Sequence, residues 1–348
     1  MLRLDNRQPI AVGRTRRSVL AALAFGLMGA VSLSAAAQTA ASADAAQPNW
    51  PVRPLTLIVP FGPGSTPDQV ARIVGERAGA ILGQSIVVEN KAGASGNIGT
   101  AAIARAAPDG YTFGVSITGP MVNNTLLFEH LPYDPVRDLA PLTLAVHQPN
   151  VIVVPGESGI TSIDQLLDAI KRGDDKYNFP STGIGTVSQL SVEMLLKRIG
   201  ARAVHVPYPS SPAALSSILA GDTQFAALPP AAVMAMIRDG RLKGLAVTSS
   251  RRSALLPDLP TLEEAGIAGI EGSGWIGFVV NAQVPASVQV RLSDALRQAI
   301  ADPAVQQRLK AQYMEPVGDT PEQFRQYMKE ELARWGPLIE QLGLKASN

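Results

Sequence analysis

The sequence of 348 residues contains no cysteine. This absence excludes disulfide bonds, thiolate-ligated zinc, iron–sulfur clusters and a cysteine nucleophile. Only three histidines are present, His130, His147 and His205, and they are too scattered in sequence to indicate a histidine-based metal site. The composition therefore predicts neither a metal nor a cofactor.

A strong excess of charge is also missing, because 30 lysines and arginines nearly balance 29 aspartates and glutamates. A nucleic-acid-binding face is not indicated, since such faces are strongly basic. The 46% of hydrophobic and 17% of charged residues are typical of a chain that buries a core. The length is that of about two domains.

The N-terminal region has the order of a cleavable export signal. Five arginines lie within residues 3–17, an uncharged run follows over residues 19–34, and small residues such as 41–43 come next. The run is shorter than the roughly 20 apolar residues of a membrane-spanning helix. The sequence therefore predicts a signal peptide over residues 1–43 and a mature protein outside the cytoplasm. Residues 15–20 resemble a twin-arginine signal, but a Sec signal with adjacent arginines has the same pattern.

From about residue 50, short apolar runs alternate with helical patterns, which is typical of parallel sheets with crossover helices. The alternation restarts near residue 151, and this indicates two similar α/β units. Three C-terminal helices are predicted at residues 286–301, 303–311 and 321–342.

We expect these C-terminal helices to fold back on the first unit. Domain 1 would then comprise residues 44–148 and 274–348, and domain 2 residues 149–273. The two chain crossings, near residues 148 and 273, would form a hinge.

Two loops, at residues 60–69 and 181–189, each join a strand to a helix in one of the two units. Thr66 fits an N-cap, with Gln69 three residues later, and Thr186 with Gln189 repeats this T-x-x-Q capping box. Helix starts favour anions through their free N–H groups and dipole. Two such starts facing each other across a cleft would bind a small carboxylate or dicarboxylate without an arginine.

An exported α/β hydrolase or transferase using the same cleft is the alternative. The partial G-x-G-x-x-G at residues 183–188 lacks an acidic residue about 20 positions on, and no G-x-S-x-G elbow occurs. His205 lies in an apolar strand and is interpreted as structural. A serine or an acid beside His205 in the cleft would favour the enzyme. Trp275 is interpreted as a hinge or core residue.

A series of segments, taken in order, resembles the Bug family of periplasmic solute receptors of tripartite tricarboxylate transporters. The resemblance covers nearly the whole chain from residue 50 to residue 342. Its segments are P-F-G-P-G at 60–64, V-V-E-N-K-A-G-A-S-G-N-I-G at 87–99, A-A-P-D-G-Y-T at 106–112, L-P-Y-D-P at 131–135, H-V-P-Y at 205–208, L-A-V-T-S at 245–249, L-P-D-L-P-T at 256–261, A-D-P at 301–303 and E-P-V-G at 315–318.

The resemblance implies a two-domain α/β periplasmic binding protein of the Venus flytrap type, with a ligand cleft between the domains. It implies a monomer that captures a small carboxylate and delivers it to a membrane transporter or a sensor, with no catalytic role. The ligand-binding residues expected from the loops and the resemblance are Phe61, Gly62, Gly64, Ser65, Ser181, Thr182, Gly185, Thr186, Ser188, Tyr208, Ser210 and Ser211.

The chain departs from the family pattern in three places. Gly64-Ser65 stands where the family has a glycine pair, and the family's P-Y-K-G-G-x-P-A reads here P-Y-P-S-S-P-A at residues 207–213. Pro209 removes an N–H group, and the two serines add hydroxyls. Residues 118–120 replace a stretch that is more polar in the family. These changes predict a cleft of altered polarity.

Overall fold

The computed structural model describes residues 49–173 and 176–345. The predicted signal peptide lies outside these residues. In the part of the chain that is described, no helix is both long enough and apolar enough to cross a membrane.

Eleven strands and ten helices are found within the described residues. The strands are β1 (Leu55–Val59), β2 (Ile86–Asn90), β3 (Thr112–Ile117), β4 (Leu139–Pro149), β5 (Val151–Pro155), β6 (Asn178–Ser181), β7 (Val204–Pro207), β8 (Ala226–Leu228), β9 (Leu242–Val247), β10 (Ser273–Asn281) and β11 (Glu315–Pro316). The helices are α1 (Thr66–Leu82), α2 (Asn97–Ala104), α3 (Asn124–Leu127), α4 (Ile163–Gly173), α5 (Val187–Ile199), α6 (Ser211–Leu219), α7 (Pro230–Arg238), α8 (Ala286–Ala301), α9 (Pro303–Ala311) and α10 (Pro321–Leu342).

A six-stranded sheet in the order β11-β4-β10-β3-β1-β2 forms the centre of one half of the molecule. Its strands are rich in valine, leucine and isoleucine, because both faces are covered. On one face, α1 and α8 bury Val70, Val74, Leu292 and Leu296, and α9 buries Leu309. On the other face, α2 and α10 contribute Ile103, Phe324 and Trp335 to a second core.

The remaining strands form a three-stranded sheet, β8-β5-β9, and a parallel pair, β6-β7. The expected parallel arrangement holds for β1 with β2 and β3, but β10 is antiparallel to β3 and β4, and β5 is antiparallel to β8 and β9. The prediction of parallel sheets is therefore confirmed only in part. Alternation along the sequence indicates where strands occur. It does not determine the direction of a strand that joins a sheet after many intervening residues.

The three C-terminal helices are confirmed as α8, α9 and α10. Helix α7 was not predicted, and neither were β4 and β10 as long strands. The β4–β10 ladder runs from Leu139 paired with Asn281 to Pro149 paired with Ser273. The end of this ladder lies next to the two positions at which the sequence analysis places the chain crossings.

Thr248 joins the two chain segments that leave this ladder. Its buried hydroxyl accepts a hydrogen bond from the N–H of Asn150 (2.9 Å) and donates to the carbonyl of Gly272 (2.7 Å). The main-chain N–H of Thr248 also donates to the Asn150 carbonyl, and that of Gly272 to the Thr248 carbonyl. Thr248, which directly follows β9, thus holds the two segments side by side.

A buried carboxylate, Glu331 on α10, fixes the side chain of Trp275 on β10. One oxygen of Glu331 accepts from the indole N–H of Trp275 (3.1 Å) and of Trp335 (3.2 Å). The other oxygen accepts from Arg334 at 2.7 and 3.0 Å, and Arg334 also donates to the carbonyl of Glu271. Because a carboxylate is an acceptor at every lone pair, it satisfies all these donors at once.

We expect E331Q to destabilise the protein, because an amide presents two N–H groups where three donors converge. The free energy of unfolding should fall by about 2–3 kcal/mol, the cost of disrupted hydrogen bonds to a buried charge. Urea unfolding measures this change. The matched control is E330Q, since Glu330 is the exposed neighbour on the same helix, and it should change stability by less than about 0.5 kcal/mol. Equal effects of the two variants would contradict the role of Glu331.

Candidate functional site

A cavity of about 70 Å³ lies where the first turns of α1 and α5 meet β3, β4 and β10. One water needs about 10–15 Å³ on this measure, so the cavity has room for a small organic molecule. The residues that line it are Phe61, Ser65, Thr66, Pro67, Ile117, Thr118, Gln148, Asn150, Thr182, Thr186, Val187, Ser188, Ser211, Pro229, Gly274, Trp275 and Ile276.

Helix α1 begins one residue earlier than the sequence indicated. Its N-cap is Ser65, in an extended conformation, and the predicted capping box of Thr66 and Gln69 is wrong. The side chain that reaches back is Asp68, which accepts from the N–H of Gly64 at 2.9 Å. Gly64 has a φ of +76°, a conformation that favours glycine, and this turn sets where the helix begins.

Helix α5 begins at the predicted N-cap, Thr186, but the predicted box with Gln189 is not formed. The Gln189 side chain accepts from the N–H of Gly185 at 2.9 Å, and Gly185 again has a φ of +76°. The two loops therefore share one geometry, in which Ser65 corresponds to Thr186 and Asp68 to Gln189. The sequence pattern made Thr66 the counterpart of Thr186, and this assignment is wrong by one residue.

Neither helix start is capped by the side chain of its N-cap residue. Elsewhere the chain caps helices in the ordinary way: Thr320 and Gln323 form a complete capping box at α10. The N–H groups of Thr66 and Asp68 in α1 and of Val187 and Ser188 in α5 also lack intrahelical acceptors, whereas the N–H of Gln189 donates to the Thr186 carbonyl. Because both first turns border the cavity, these N–H groups are available to an acceptor placed there.

Among the cavity hydroxyls, Ser65 differs from Thr186 and Ser188. The Thr186 hydroxyl donates to the Gly183 carbonyl at 2.7 Å, and the Ser188 hydroxyl donates to the Ala227 carbonyl. The hydroxyl hydrogens of Thr186 and Ser188 are therefore already engaged in hydrogen bonds. The Ser65 hydroxyl is buried, with 2% of the residue exposed, and has no hydrogen-bond partner among the described residues. A buried polar group without a partner is costly, so this oxygen marks a position for a ligand atom.

The Asp68 carboxylate fixes the first loop and does not line the cavity. Besides Gly64, it accepts from Asn90 at 2.9 Å and forms an ion pair with Arg72 at 3.0 Å. The same amide of Asn90 donates to the carbonyl of Phe61. Burial alone would raise the pKa of Asp68, but the hydrogen bonds from Arg72, Gly64 and Asn90 outweigh burial, and the pKa is lowered from its ordinary value.

Six of the twelve predicted ligand-binding residues line the cavity: Phe61, Ser65, Thr182, Thr186, Ser188 and Ser211. The other six lie around it. Gly62 donates its N–H to the Pro209 carbonyl at 3.5 Å, and Ser210 caps helix α6 through Ala213. Tyr208 lines a neighbouring cavity of about 280 Å³ that shares Phe61 and Thr182 with the first. Gly64 and Gly185 form the two turns described above.

Ser181, the last of the six, uses its hydroxyl inside its own loop. The hydroxyl lies 2.6 Å from Nε2 of His205 and also accepts from the N–H of Gly183. His205 stacks on Phe179, and burial lowers its pKa to about 4. Neither Ser181 nor His205 lines the cavity, and within residues 49–173 and 176–345 no carboxylate hydrogen-bonds the ring. The serine beside His205 is thus a contact within the loop and lies outside the cavity lining.

The floor of the cavity consists of residues that the sequence analysis did not assign to the site. They come from the ends of β3 and β4 and from the start of β10, where the main-chain N–H of Trp275 donates to the Thr118 hydroxyl at 3.3 Å. A local sequence signal was missing because these strands meet only through long-range pairing. The floor residues are Ile117, Thr118, Gln148, Asn150, Gly274, Trp275 and Ile276.

Comparison with known families and relatives gives one consistent result. The family model described as "Tripartite tricarboxylate transporter family receptor" matches residues 70–344. A curated relative, a UPF0065 protein in the tcbD-tcbE intergenic region of Pseudomonas sp. (strain P51), is 35% identical over 333 residues, which cover 95% of this chain and 96% of the relative.

The fold matches solved structures over most of the chain. The periplasmic binding protein BugD matches with a TM-score of 0.81 and 32% identity, covering 86% of this chain and all of its own. R. palustris Rpa4515 with adipate matches with a TM-score of 0.82 and 28% identity (85% of this chain and 99% of that chain). MatC from Rhodopseudomonas palustris with bound malate gives 0.79 and 28% (83% and 100%). The chain belongs to the family of tripartite tricarboxylate transporter receptors and is a solute-binding receptor with the two-domain α/β fold of the Bug periplasmic binding proteins.

Proposed function

We propose that this receptor captures a small carboxylate in the cavity between α1 and α5 and delivers it to the membrane subunits of a tripartite transporter. The observation that carries the proposal is the pair of uncapped helix starts around one cavity, together with the buried, unpartnered hydroxyl of Ser65. Two solved relatives of the same fold hold adipate and malate, which supports a carboxylate as the ligand class.

The carboxylate would be held by main-chain donors from both helix starts. At α1 these are the N–H groups of Thr66 and Asp68, since Pro67 has none. At α5 they are the N–H groups of Val187 and Ser188. The hydroxyl of Ser65 adds one donor, and the helix dipoles favour negative charge at this position.

We further propose that residues 44–148 and 274–348 form one domain, residues 149–273 the other, and that they close over the ligand as a monomer. Three contacts support a closed arrangement: Asn123 donates to the Gly185 carbonyl at 2.8 Å, Gly62 donates to Pro209, and Gly183 lies against Ser95. The end of the β4–β10 ladder and Thr248 would form the hinge. The protein would act from the periplasm and carry out no catalysis, because the Ser181–His205 pair lies outside the cavity.

Isothermal titration of ligand-free protein with mono-, di- and tricarboxylates tests the capture of an acid. Once a ligand is found, S65A should weaken its binding about 10- to 100-fold, because a hydrogen bond to a charged group is lost. The control is S216A, which changes an exposed serine outside the cavity and should bind as the unsubstituted protein does. Absence of heat with every acid would overturn the proposal, and an unchanged S65A affinity would remove Ser65 from it.

The Asp68 network predicts a pH-dependent contribution to stability. At neutral pH, D68N should lower the free energy of unfolding by about 2 kcal/mol, because it removes the charge that binds Arg72, Gly64 and Asn90. The pKa of Asp68 is lowered in the folded state, so its contribution is complete above the unfolded-state pKa of about 4 and is lost as the pH falls through the folded-state value.

The stability difference between the unsubstituted protein and D68N should therefore shrink on acidification. Urea unfolding near neutral pH and at about pH 3 measures it. D294N serves as the control, since Asp294 is an exposed partner in a surface ion pair, and it should differ little from the unsubstituted protein at either pH. A D68N difference that stays constant between the two pH values would contradict the assignment.

A further inference from the structure

The chain between β3 and α3 forms a π-helical turn, Gly119–Asn123, all of whose residues are buried. Such turns are rare and occur frequently at functional sites. This one directly follows Thr118, a residue of the cavity floor. A Cβ atom on Gly119 would lie 3.4 Å from the carbonyl oxygen of Gly185. The turn therefore packs against the loop that precedes α5.

The side chain of Asn123, the last residue of the turn, binds this loop. Its amide donates to the Gly185 carbonyl at 2.8 Å, and the residue is completely buried. The N–H of Gly185 donates to Gln189, so side chains hold both polar main-chain groups of Gly185. Asn123 itself does not line the cavity. It thus fixes the residue before the N-cap of α5 from outside the space that a ligand would fill.

The neighbouring Asn124 makes the fit around Gly185 close. A Cβ atom on Gly185 would overlap Oδ1 of Asn124, so glycine is required for this approach. The Asn124 amide donates to the side chain of Asn97, at 2.6 Å, which belongs to the same proposed domain. Of these two adjacent asparagines, Asn123 is the one whose amide crosses to the other domain.

The hydrogen bond between Asn123 and Gly185 joins residues 44–148 to residues 149–273 and exists only while the two are together. When they separate, the amide and the carbonyl bind water instead, so this bond stabilises the closed arrangement alone. It is shorter than the other hydrogen bond that supports closure, from Gly62 to Pro209, at 3.5 Å. Free energy that favours closure raises the apparent affinity for a ligand that binds the closed arrangement.

We propose that Asn123 is a positioning residue of this receptor. Its amide holds the start of α5 over the cavity in the closed arrangement, and it thereby raises the affinity for the captured solute without contacting that solute. The inference rests on the proposed closure of the two domains. It does not depend on which solute is captured.

A cysteine pair placed across the cleft tests this role, since the chain contains no cysteine of its own. A Cβ atom on Gly62 would lie 3.4 Å from Cβ of Ser210, close to the roughly 3.5–4.5 Å that a disulfide requires. The experiment uses G62C/S210C protein without its signal peptide and without added ligand. The rate of disulfide formation in a fixed glutathione redox buffer measures how often the domains close.

Adding N123A should slow disulfide formation about 3- to 10-fold, because the closed arrangement loses one hydrogen bond. N123D should slow it at least as much, since a carboxylate of similar size presents acceptors to the Gly185 carbonyl. The urea midpoint of the reduced, ligand-free protein should change little with N123A, because the lost bond belongs to the closed arrangement. An unchanged rate in folded N123A protein would overturn the proposal.

The matched control is N281A. Asn281 is also buried, and its amide donates to the carbonyls of Ala104 and Ala106, at 2.8 Å each, within one proposed domain. N281A should lower the urea midpoint and leave the rate of disulfide formation within about twofold of the unsubstituted rate. If N281A slowed the reaction as much as N123A, a general loss of stability would explain both results, and the role of Asn123 would be rejected.

A second cysteine pair keeps the test decisive if G62C/S210C does not fold. A Cβ atom on Gly183 would lie 3.2 Å from Cβ of Ser95, so S95C/G183C reports on the same closure. If neither pair forms a disulfide in folded protein, the closure on which the inference rests is wrong. Because no acid is added, a negative result of the carboxylate titrations leaves this outcome unaffected.

Discussion

The site depends on the first turns of α1 and α5, where main-chain N–H groups have no acceptor within the helix. In both loops a glycine with a φ of +76° precedes the N-cap, and the third residue of the helix accepts from that glycine's N–H. This arrangement fixes the loop, but the N-cap side chain does not bind the first-turn N–H groups. At α10, by contrast, Thr320 and Gln323 form a capping box that binds such groups. The repetition of one geometry in the two halves of the chain brings two sets of free donors to one cavity.

The rest of the molecule keeps these donors and the cavity floor in register. The β4–β10 ladder brings the ends of distant segments together, and Thr248 binds the two segments that leave it. Glu331 also fixes a residue of the cavity lining. Its carboxylate accepts hydrogen bonds from Trp275 on β10 and from Trp335 and Arg334 on α10. A carboxylate serves here since an amide or hydroxyl would bring its own hydrogens to a point where donors already converge.

Local sequence patterns predicted local structure well and long-range structure poorly. The C-terminal helices and both strand–loop–helix turns were predicted, because caps, glycines and helical periodicity act over a few residues. The register of the first loop was wrong by one residue, since Thr66 and Ser65 are both good N-caps and the turn at Gly64 decides between them. The floor was missed, and Ser181 was predicted as a ligand contact although His205, 24 residues away, engages its hydroxyl.

The departures from the family pattern gain a physical meaning once the cavity is seen to be neutral. Pro209 stands where the family pattern has a lysine, and its carbonyl accepts from the N–H of Gly62 beside the first loop. Ser210, in place of a glycine, is used to cap α6 and is not turned toward the cavity. The substitutions thus replace a lysine by a residue without charge, and they place the Ser211 hydroxyl at the cavity. The helix starts that border the cavity remain as its source of positive potential, which favours a carboxylate there.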